Sequence, residues 1–327
     1  MRQFTAGPNE QGTRLSRFVL RVAGGLREPA LYKAFRNRRI KVNGHRAAAD
    51  YRLQPGDVIE LYLNDSLFLR EPATPPRPLP HPAEHYYTAV FDDMHYAILY
   101  KPAGVLSHSD DAGNPGLLEA FTASLVESGG FAPAAEHTFA PALCNRLDRG
   151  TEGLVIVAKT APALRAMNAA IKAGSVQKTY LCVCVGTPPQ GLQKAWLLRE
   201  RATHTVQVGL GAPPAGAKAI ETGIHLVETR QGLSLCEIQL KTGRTHQIRA
   251  HLAFLGAPVL GDAKYGDKAL GQKFGWRTQA LCAWRLTFPP LPDRGTPLHS
   301  LAGKTFTAPS SRLSRWWAGF GAHASHT

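Results

Sequence analysis

The stretch Cys144–Thr160, CNRLDRGTEGLVIVAKT, joins two kinds of chemistry. Asn145 to Glu152 is a polar turn that carries one carboxylate, Asp148, between Arg146 and Arg149. Gly153 to Ala158 is a continuous apolar run stopped by Lys159, and short runs of this composition read as strands buried on both faces. Gly150 and Gly153 suit sharp changes of chain direction. A carboxylate among guanidiniums at the mouth of a buried strand is favoured in its charged form, ready to act as a nucleophile or a base. Read alone, the same R-x-D-R is more ordinarily an aspartate that orders its own loop by pairing with its neighbours, and the rest of the chain has to decide between the two.

Charge narrows the partners. The chain has 327 residues and a formal net charge of +14, a balance that points to a polyanion, nucleic acid before an anionic membrane surface. No apolar run approaches the roughly 18 residues that span a bilayer, and no leader pattern opens the chain. The five cysteines are odd in number, form no C-x-x-C and fall mostly in apolar runs, so neither a disulfide frame nor a zinc site is expected and the reducing cytoplasm is.

The elements that must position the turn follow from periodicity. Leu15, Phe18, Val19 and Val22 form one face of a helix, ended by Gly24-Gly25, and Pro29 opens a second helix. Ile40–Val42 is a short strand running into the Asn43-Gly44 turn, and Val58–Leu63 is another. Ten Lys or Arg against a single acid, Glu28, lie between Gly12 and Arg46, and Arg14, Arg17, Arg21, Lys33, Arg36, Arg38, Arg39 and Lys41 are the candidate RNA contacts among them. Six prolines in 70–85 make a stiff linker. Beyond it, strands are expected at Tyr96–Tyr100, Lys178–Gly186, Leu233–Leu240 and Leu281–Phe288, and helices near Leu117–Val126 and over Ala161–Ala173. A further helix begins after Gly243-Arg244, with Thr245 as its expected N-cap and Ile248, Leu252 and Leu255 as its buried stripe. His246 and His251, five apart, share no helix face and read as packing or surface residues.

Two resemblances give these pieces a function. R-L-S-R-F at 14–18, I-K-V-N-G at 40–44 and L-Q-P-G-D at 53–57 resemble an S4 RNA-binding domain, which implies structured RNA read by shape and phosphate contact. K-P-A-G at 101–104, N-R-L-D-R-G-T-E-G-L at 145–154, K-T-Y-L at 178–181, G-R-T-H-Q-I-R-A-H-L at 243–252 and G-D-A-K-Y-G at 261–266 together resemble the RluA family of RNA pseudouridine synthases. The resemblance implies an α+β fold. Its catalytic domain is a mixed, mostly antiparallel sheet with a central cleft, preceded by a small α/β S4-like domain. The expected boundaries are 1–70 for the S4-like domain, 71–85 for the linker, 86–308 for the catalytic domain and 309–327 for a basic tail.

The implied reaction is an isomerisation without metal or cofactor. The N1–C1′ bond of a uridine breaks, the base turns, and it rejoins through C5. The implied substrate is RNA, 23S ribosomal RNA foremost, acted on by a monomer. In that frame Asp148 is the catalytic group, attacking C1′ or taking a proton from C2′ in a dry pocket; Arg249 is its cation; Tyr180 stacks on the target base; and Arg146 enters the RNA stack as the uridine leaves. Lys101 and Asp262 read as shapers of loops. Asn145, Thr179 and Cys282 depart from the family pattern, and as neighbours of the cleft they would bear on which RNA is recognised. The competing reading is a non-catalytic S4-type RNA-binding protein of ribosome assembly or translational control, which would have no need to keep Asp148, Tyr180 and Arg249 together. A DNA-binding regulator lacks a recognition-helix signal.

Overall fold

A computed structural model describes residues 1–68, 79–200, 205–290, 295–309 and 311–320. Most of the proline-rich linker therefore lies outside the described residues, as does the chain end beyond Phe320.

The N-terminal residues build a four-stranded sheet in the order β1 (Arg2–Thr5), β4 (Val58–Leu61), β2 (Ile40–Val42), β3 (His45–Arg46). Helices α1 (Leu15–Val22) and α2 (Glu28–Arg36) complete it. The periodicity holds to the residue: Leu15, Phe18, Val19 and Val22 are the buried face of α1, packed with Ile40, Ile59 and Leu61 of the sheet. Asn43 and Gly44 both adopt left-handed backbone, the geometry of a tight hairpin turn between β2 and β3. This unit is hydrogen-bonded to the rest of the chain. Asn9 Oδ1 accepts from Ala161 N–H and its Nδ2 donates to Glu136, Thr138 Oγ1 donates to the buried Glu10, and Arg165 donates to the Gln11 carbonyl.

Residues 86 onward form one mostly antiparallel sheet of eleven strands among the described residues. In chain order these are β5 (Thr88–Asp92), β6 (Tyr96–Lys101), β7 (Ala142–Leu143), β8 (Glu152–Ala158), β9 (Gln177–Val185) and β10 (Gly191–Glu200). They continue with β11 (Thr205–Gly209), β12 (Lys218–Arg230), β13 (Leu233–Leu240), β14 (Leu281–Thr287) and β15 (Thr305–Thr307). The spatial order is β11-β10-β12-β13-β9-β14-β8-β6-β5, with β15 against β14 and β7 against β8. Helices α3 (Leu117–Glu127), α4 (Ala161–Lys172), α5 (Gln247–Phe254), α6 (Lys268–Lys273) and α7 (Arg312–Gly319) flank it.

Strand β8 is buried at every position, and its side chains divide by parity. Val155 and Val157 enter one apolar cluster with Leu99, Tyr180 and Ile248; Leu154, Ile156 and Ala158 enter the other with Ile98, Met167 and Trp317. The parallel pairing of β8 with β14 depends on Gly153, whose φ is +124° and where an added Cβ would sit 2.4 Å from the Ala283 carbonyl oxygen. Glu152, charged yet buried, accepts from the Arg312 and Leu313 N–H groups that open α7, so the last described helix is tied to the first residue of β8.

Candidate active site

The Asp148 turn is clamped from one side by the loop after β6. Ser107 Oγ donates to the Leu147 carbonyl at 2.7 Å and accepts from Leu147 N–H at 3.1 Å. Lys101 is wholly buried and spends its ammonium on the carbonyls of Val105 (2.7 Å), Pro102 (3.0 Å) and Arg149 (3.3 Å). Burial pushes its pKa down to about 7, with Asp148 and Glu152 opposing the shift. The two arginines beside Asp148 are not its partners, contrary to the expectation from R-x-D-R. Arg149 Nε donates to the Gly104 carbonyl, and Arg146 is exposed along the rim.

The cation on Asp148 comes from 101 residues away. Arg249 Nη1 donates to Asp148 Oδ2 at 2.8 Å, while its Nε and Nη2 form a bidentate pair with Asp262 at 2.6 and 2.9 Å. Burial works against the Arg249 charge, but Asp262 and Asp148 together hold it firmly protonated. Asp262 is completely buried, and burial alone would raise its carboxyl; the two Arg249 bonds and the N–H groups of Lys264 and Tyr265 hold it below the ordinary carboxylate range. Asp262 is thus more than a shaper of its turn: it fixes the guanidinium that meets Asp148. Asp148 keeps 27% of its side chain exposed, so the pocket is not dry at this residue.

Tyr180 reaches the same place along the sheet. Ala283 on β14 pairs with both Gly153 and Tyr180, so the ring lies in the cross-strand row that starts β8. It is buried, and burial first, then the Asp148 charge, pushes its phenol upward. Asp148, Tyr180, Arg146 and Arg249 together line a narrow pocket of about 70 Å³. Asp148, Arg146 and Arg249 also line an outer groove of about 570 Å³.

The G-R-T-H-Q-I-R-A-H-L segment is organised differently from its sequence reading. Thr245 is not the N-cap of α5. That position is His246, in left-handed backbone with φ 56°. The turn is held by Gln247, which is buried, accepts from Arg244 N–H and Thr242 Oγ1, and donates to Glu221 and Thr222. His246 therefore leaves the helix and enters the cleft: Nε2 stands 3.8 Å from Asp148 Oδ2 and Nδ1 stands 2.8 Å from the Tyr265 hydroxyl. It is neither a packing nor a surface residue, because helix-face spacing does not apply to a residue outside the helix. His251 is a core residue, with Nδ1 on Thr222 Oγ1, and Leu255 is only half-buried against the same cluster.

The departures from the family pattern also fall elsewhere. Asn145 spends its amide on β8, accepting from Ile156 N–H and donating to the Leu154 carbonyl. Cys282 is fully buried in the second cluster, where burial pushes its thiol up. Thr179 projects from the sheet face opposite Tyr180. Asn145 and Cys282 thus both have partners within the fold.

The structure separates the basic residues of the N-terminal unit. Arg14, Arg17 and Arg21 face α4 across a cleft of about 860 Å³ that also holds Arg52 and Arg165, and Arg21 donates to the Thr138 carbonyl. Arg36 lines a separate groove with Arg46, and Lys33, Arg38, Arg39 and Lys41 lie outside the α4 cleft, Lys41 over the Tyr62 ring. Among the described residues no His/Cys/Asp/Glu group has the spacing of a metal site, and no helix is long and apolar enough to cross a membrane.

A sequence model described as RNA pseudouridylate synthase matches residues 95–254, which include Asp148, Tyr180, His246 and Arg249. The ribosomal large subunit pseudouridine synthase C of Haemophilus ducreyi is 30% identical over 275 residues, covering 83% of this chain and 81% of that protein. The enzyme of the same description from Vibrio cholerae is 29% identical over 296 residues, with 88% and 89% covered. The ribosomal large subunit pseudouridine synthase D of Zymomonas mobilis is 32% identical over 238 residues, with 69% and 71% covered. The fold is that of human RNA pseudouridylate synthase domain containing 4, which superposes with a TM-score of 0.56 at 20% identity over 70% of this chain and 91% of that one.

Proposed function

Since this chain belongs to the RNA pseudouridylate synthase family, we propose that it isomerises uridines of large-subunit ribosomal RNA to pseudouridine with Asp148 as the reacting group. The observation that carries the reading is the Asp148–Arg249 pair at 2.8 Å beside Tyr180, with Asp148 half-open to the groove. The buried Asp262 holds Arg249 rigid, so the guanidinium orients one Asp148 oxygen while the carboxylate keeps an open edge for the ribose. A charged oxygen at that point either bonds to C1′ as the N1–C1′ pair departs to the base, or takes the C2′ proton. On the first route C5 then attacks C1′ and the bond from C1′ to Asp148 breaks. On the second the N1–C1′ pair leaves with the base as the C2′ proton is taken, and C2′ regains that proton as C5 bonds C1′. On both the C5 hydrogen leaves as a proton and N1 takes one up. Tyr180 offers a flat face to a base out of its stack, and exposed Arg146 stands at the mouth to fill the space that the base vacates.

Residues 1–70 act in this reading as an S4-like RNA-binding domain, ahead of the 71–85 linker and the 86–308 catalytic domain. Two observations support it. Arg14, Arg17 and Arg21 are exposed along α1, and with Arg52 and Arg165 they line one cleft between this unit and α4, a surface suited to phosphates. The hydrogen bonds of Asn9, Glu10 and Gln11 hold that surface at a set place beside the catalytic sheet. The chain acts as a monomer without cofactor. The test is to incubate the purified protein with unmodified large-subunit rRNA and map pseudouridine by base-specific chemistry. Sites that appear with the wild type and vanish with Asp148→Asn support the assignment, and turnover by the Asn variant refutes it.

A further inference from the structure

His246 has no role in the chemistry described so far, yet its backbone is held in an unusual place in the cleft. It is a non-glycine residue in left-handed backbone, a conformation that costs free energy and persists where surroundings enforce it. The four hydrogen bonds of buried Gln247 do the enforcing. The result carries the imidazole away from α5 into the wall shared by the narrow pocket and the outer groove.

The neighbours of Tyr265 favour one ring nitrogen as the carrier of the proton. Val206 N–H donates to the Tyr265 hydroxyl oxygen at 3.1 Å, and the same oxygen lies 2.8 Å from His246 Nδ1. A phenol has one proton to give. If it points at Nδ1, the hydroxyl both accepts and donates within the fold, whereas the reverse would make it accept twice and turn its own proton to solvent. The first arrangement satisfies both groups without solvent, and it makes Nδ1 the acceptor and places the hydrogen on Nε2. At 3.8 Å, Asp148 Oδ2 is beyond hydrogen-bonding range of Nε2 and is already held by Arg249. Burial, with Arg249 and Lys264 close by, lowers the His246 pKa despite Asp148, so the ring stays neutral and does not collapse onto the carboxylate. The cleft thus contains one directed N–H donor whose place is 3.8 Å from the reacting oxygen.

We propose that His246 is a substrate-contacting residue of the isomerase read above, its Nε2–H donating to O2 of the target uracil as the glycosidic bond breaks. O2 is the base oxygen next to N1, and so the one within reach of a donor that stands beside the atom engaging the ribose. When N1–C1′ breaks, its electron pair passes to the base and is shared between N1 and O2. A donor already aimed at that oxygen stabilises the charge as it forms, without transferring a proton. Tyr265 is the positioning residue that fixes the tautomer.

The experiment uses the full-length protein and a short synthetic RNA containing a uridine that the wild type modifies, labelled with tritium at C5 and followed under single-turnover conditions. His246→Asn suits left-handed backbone but places its amide one bond short of Nε2, whereas His246→Gln returns an amide N–H to that depth. The Asn variant should lose about 10²-fold in rate with unchanged RNA affinity, and Gln should recover at least about tenfold of that loss. With 2-thiouridine at the target, where sulfur accepts a hydrogen bond poorly, the wild-type advantage over Asn should largely disappear. Tyr265→Phe should slow the reaction less than Asn does. An Asn variant as fast as the wild type, no recovery in Gln, or an advantage that persists undiminished on 2-thiouridine would each overturn the assignment. A wild type that releases no tritium from any rRNA-derived target would instead remove the isomerase reading, and this assignment with it.

Discussion

Arg249 bridges two turns that treat the same chemical group in opposite ways. In the 261–266 turn, Asp262 is fully buried, receives two guanidinium bonds and two backbone N–H groups, and has no surface left for a substrate. In the 145–151 turn, Asp148 receives one guanidinium bond and keeps 27% of its side chain exposed. One carboxylate is consumed in holding the cation, and the other is held by that cation with an edge to spare. One guanidinium can thus serve two carboxylates unequally: the stronger contact fixes the cation and the weaker one leaves an oxygen edge open.

The asymmetry is tested most directly at Asp148. Asp148→Asn should lower turnover by roughly 10⁴-fold, the upper end of what a positioned reacting group supplies, with folding and RNA binding intact. Single-turnover rates alongside a thermal melt and a binding isotherm check all three expectations.

Arg249→Met probes both turns at once, and the buried partner should dominate. Removing the cation strands Asp262 without a counter-charge, which typically costs about 3–5 kcal/mol. The sign of the pH dependence tells the turns apart. In the wild type the Asp262 pKa is lowered, so its contribution to stability is present above the ordinary carboxylate range and is lost as pH falls through that range. In Arg249→Met, burial without a cation raises that pKa, so the variant should be more stable at pH 5 than at pH 8. Melting temperatures across that range read the difference directly. Adding Asp262→Asn should restore stability at neutral pH without restoring turnover. Recovery of activity in the double variant would show that Arg249 serves Asp262 alone.

A smaller effect is expected away from both turns. Replacing Arg14, Arg17 and Arg21 together by Ala should leave the rate at saturating RNA unchanged and weaken binding. The slope of log affinity against log salt should fall by about 0.7–0.9 for each phosphate that is no longer neutralised. An unchanged slope would remove the α1–α4 cleft from the RNA path. The smallest effect belongs to Thr179→Lys, which should alter neither rate nor choice of uridine, because position 179 projects from the sheet face opposite Tyr180. A changed pattern of modified sites would show that this face meets RNA.

The strands and helices that carry the site are legible in the order of residues, because their signals are local. The β8 run, the α1 stripe and the Asn43-Gly44 turn all follow from side-chain period and backbone preference within a few residues. Motif likeness also points to Asp148, Tyr180 and Arg249, and the fold brings these three into one pocket. The partners of these residues are set only when the chain closes. Nothing near Arg249 in sequence marks Asp262 as its bidentate anchor, and nothing near Asp148 excludes Arg149 in favour of a guanidinium 101 residues on. The same holds for His246, whose place depends on a buried glutamine bonded to β12 and on a tyrosine 19 residues away. Asn145 and Cys282 stand out as departures from a pattern, yet one bonds the edge of β8 and the other is buried, for which side of a turn or strand meets solvent is set by what packs across it. Local propensity is written in neighbouring residues, whereas hydrogen-bond partners across the sheet are chosen by which distant segments the closed chain brings within reach.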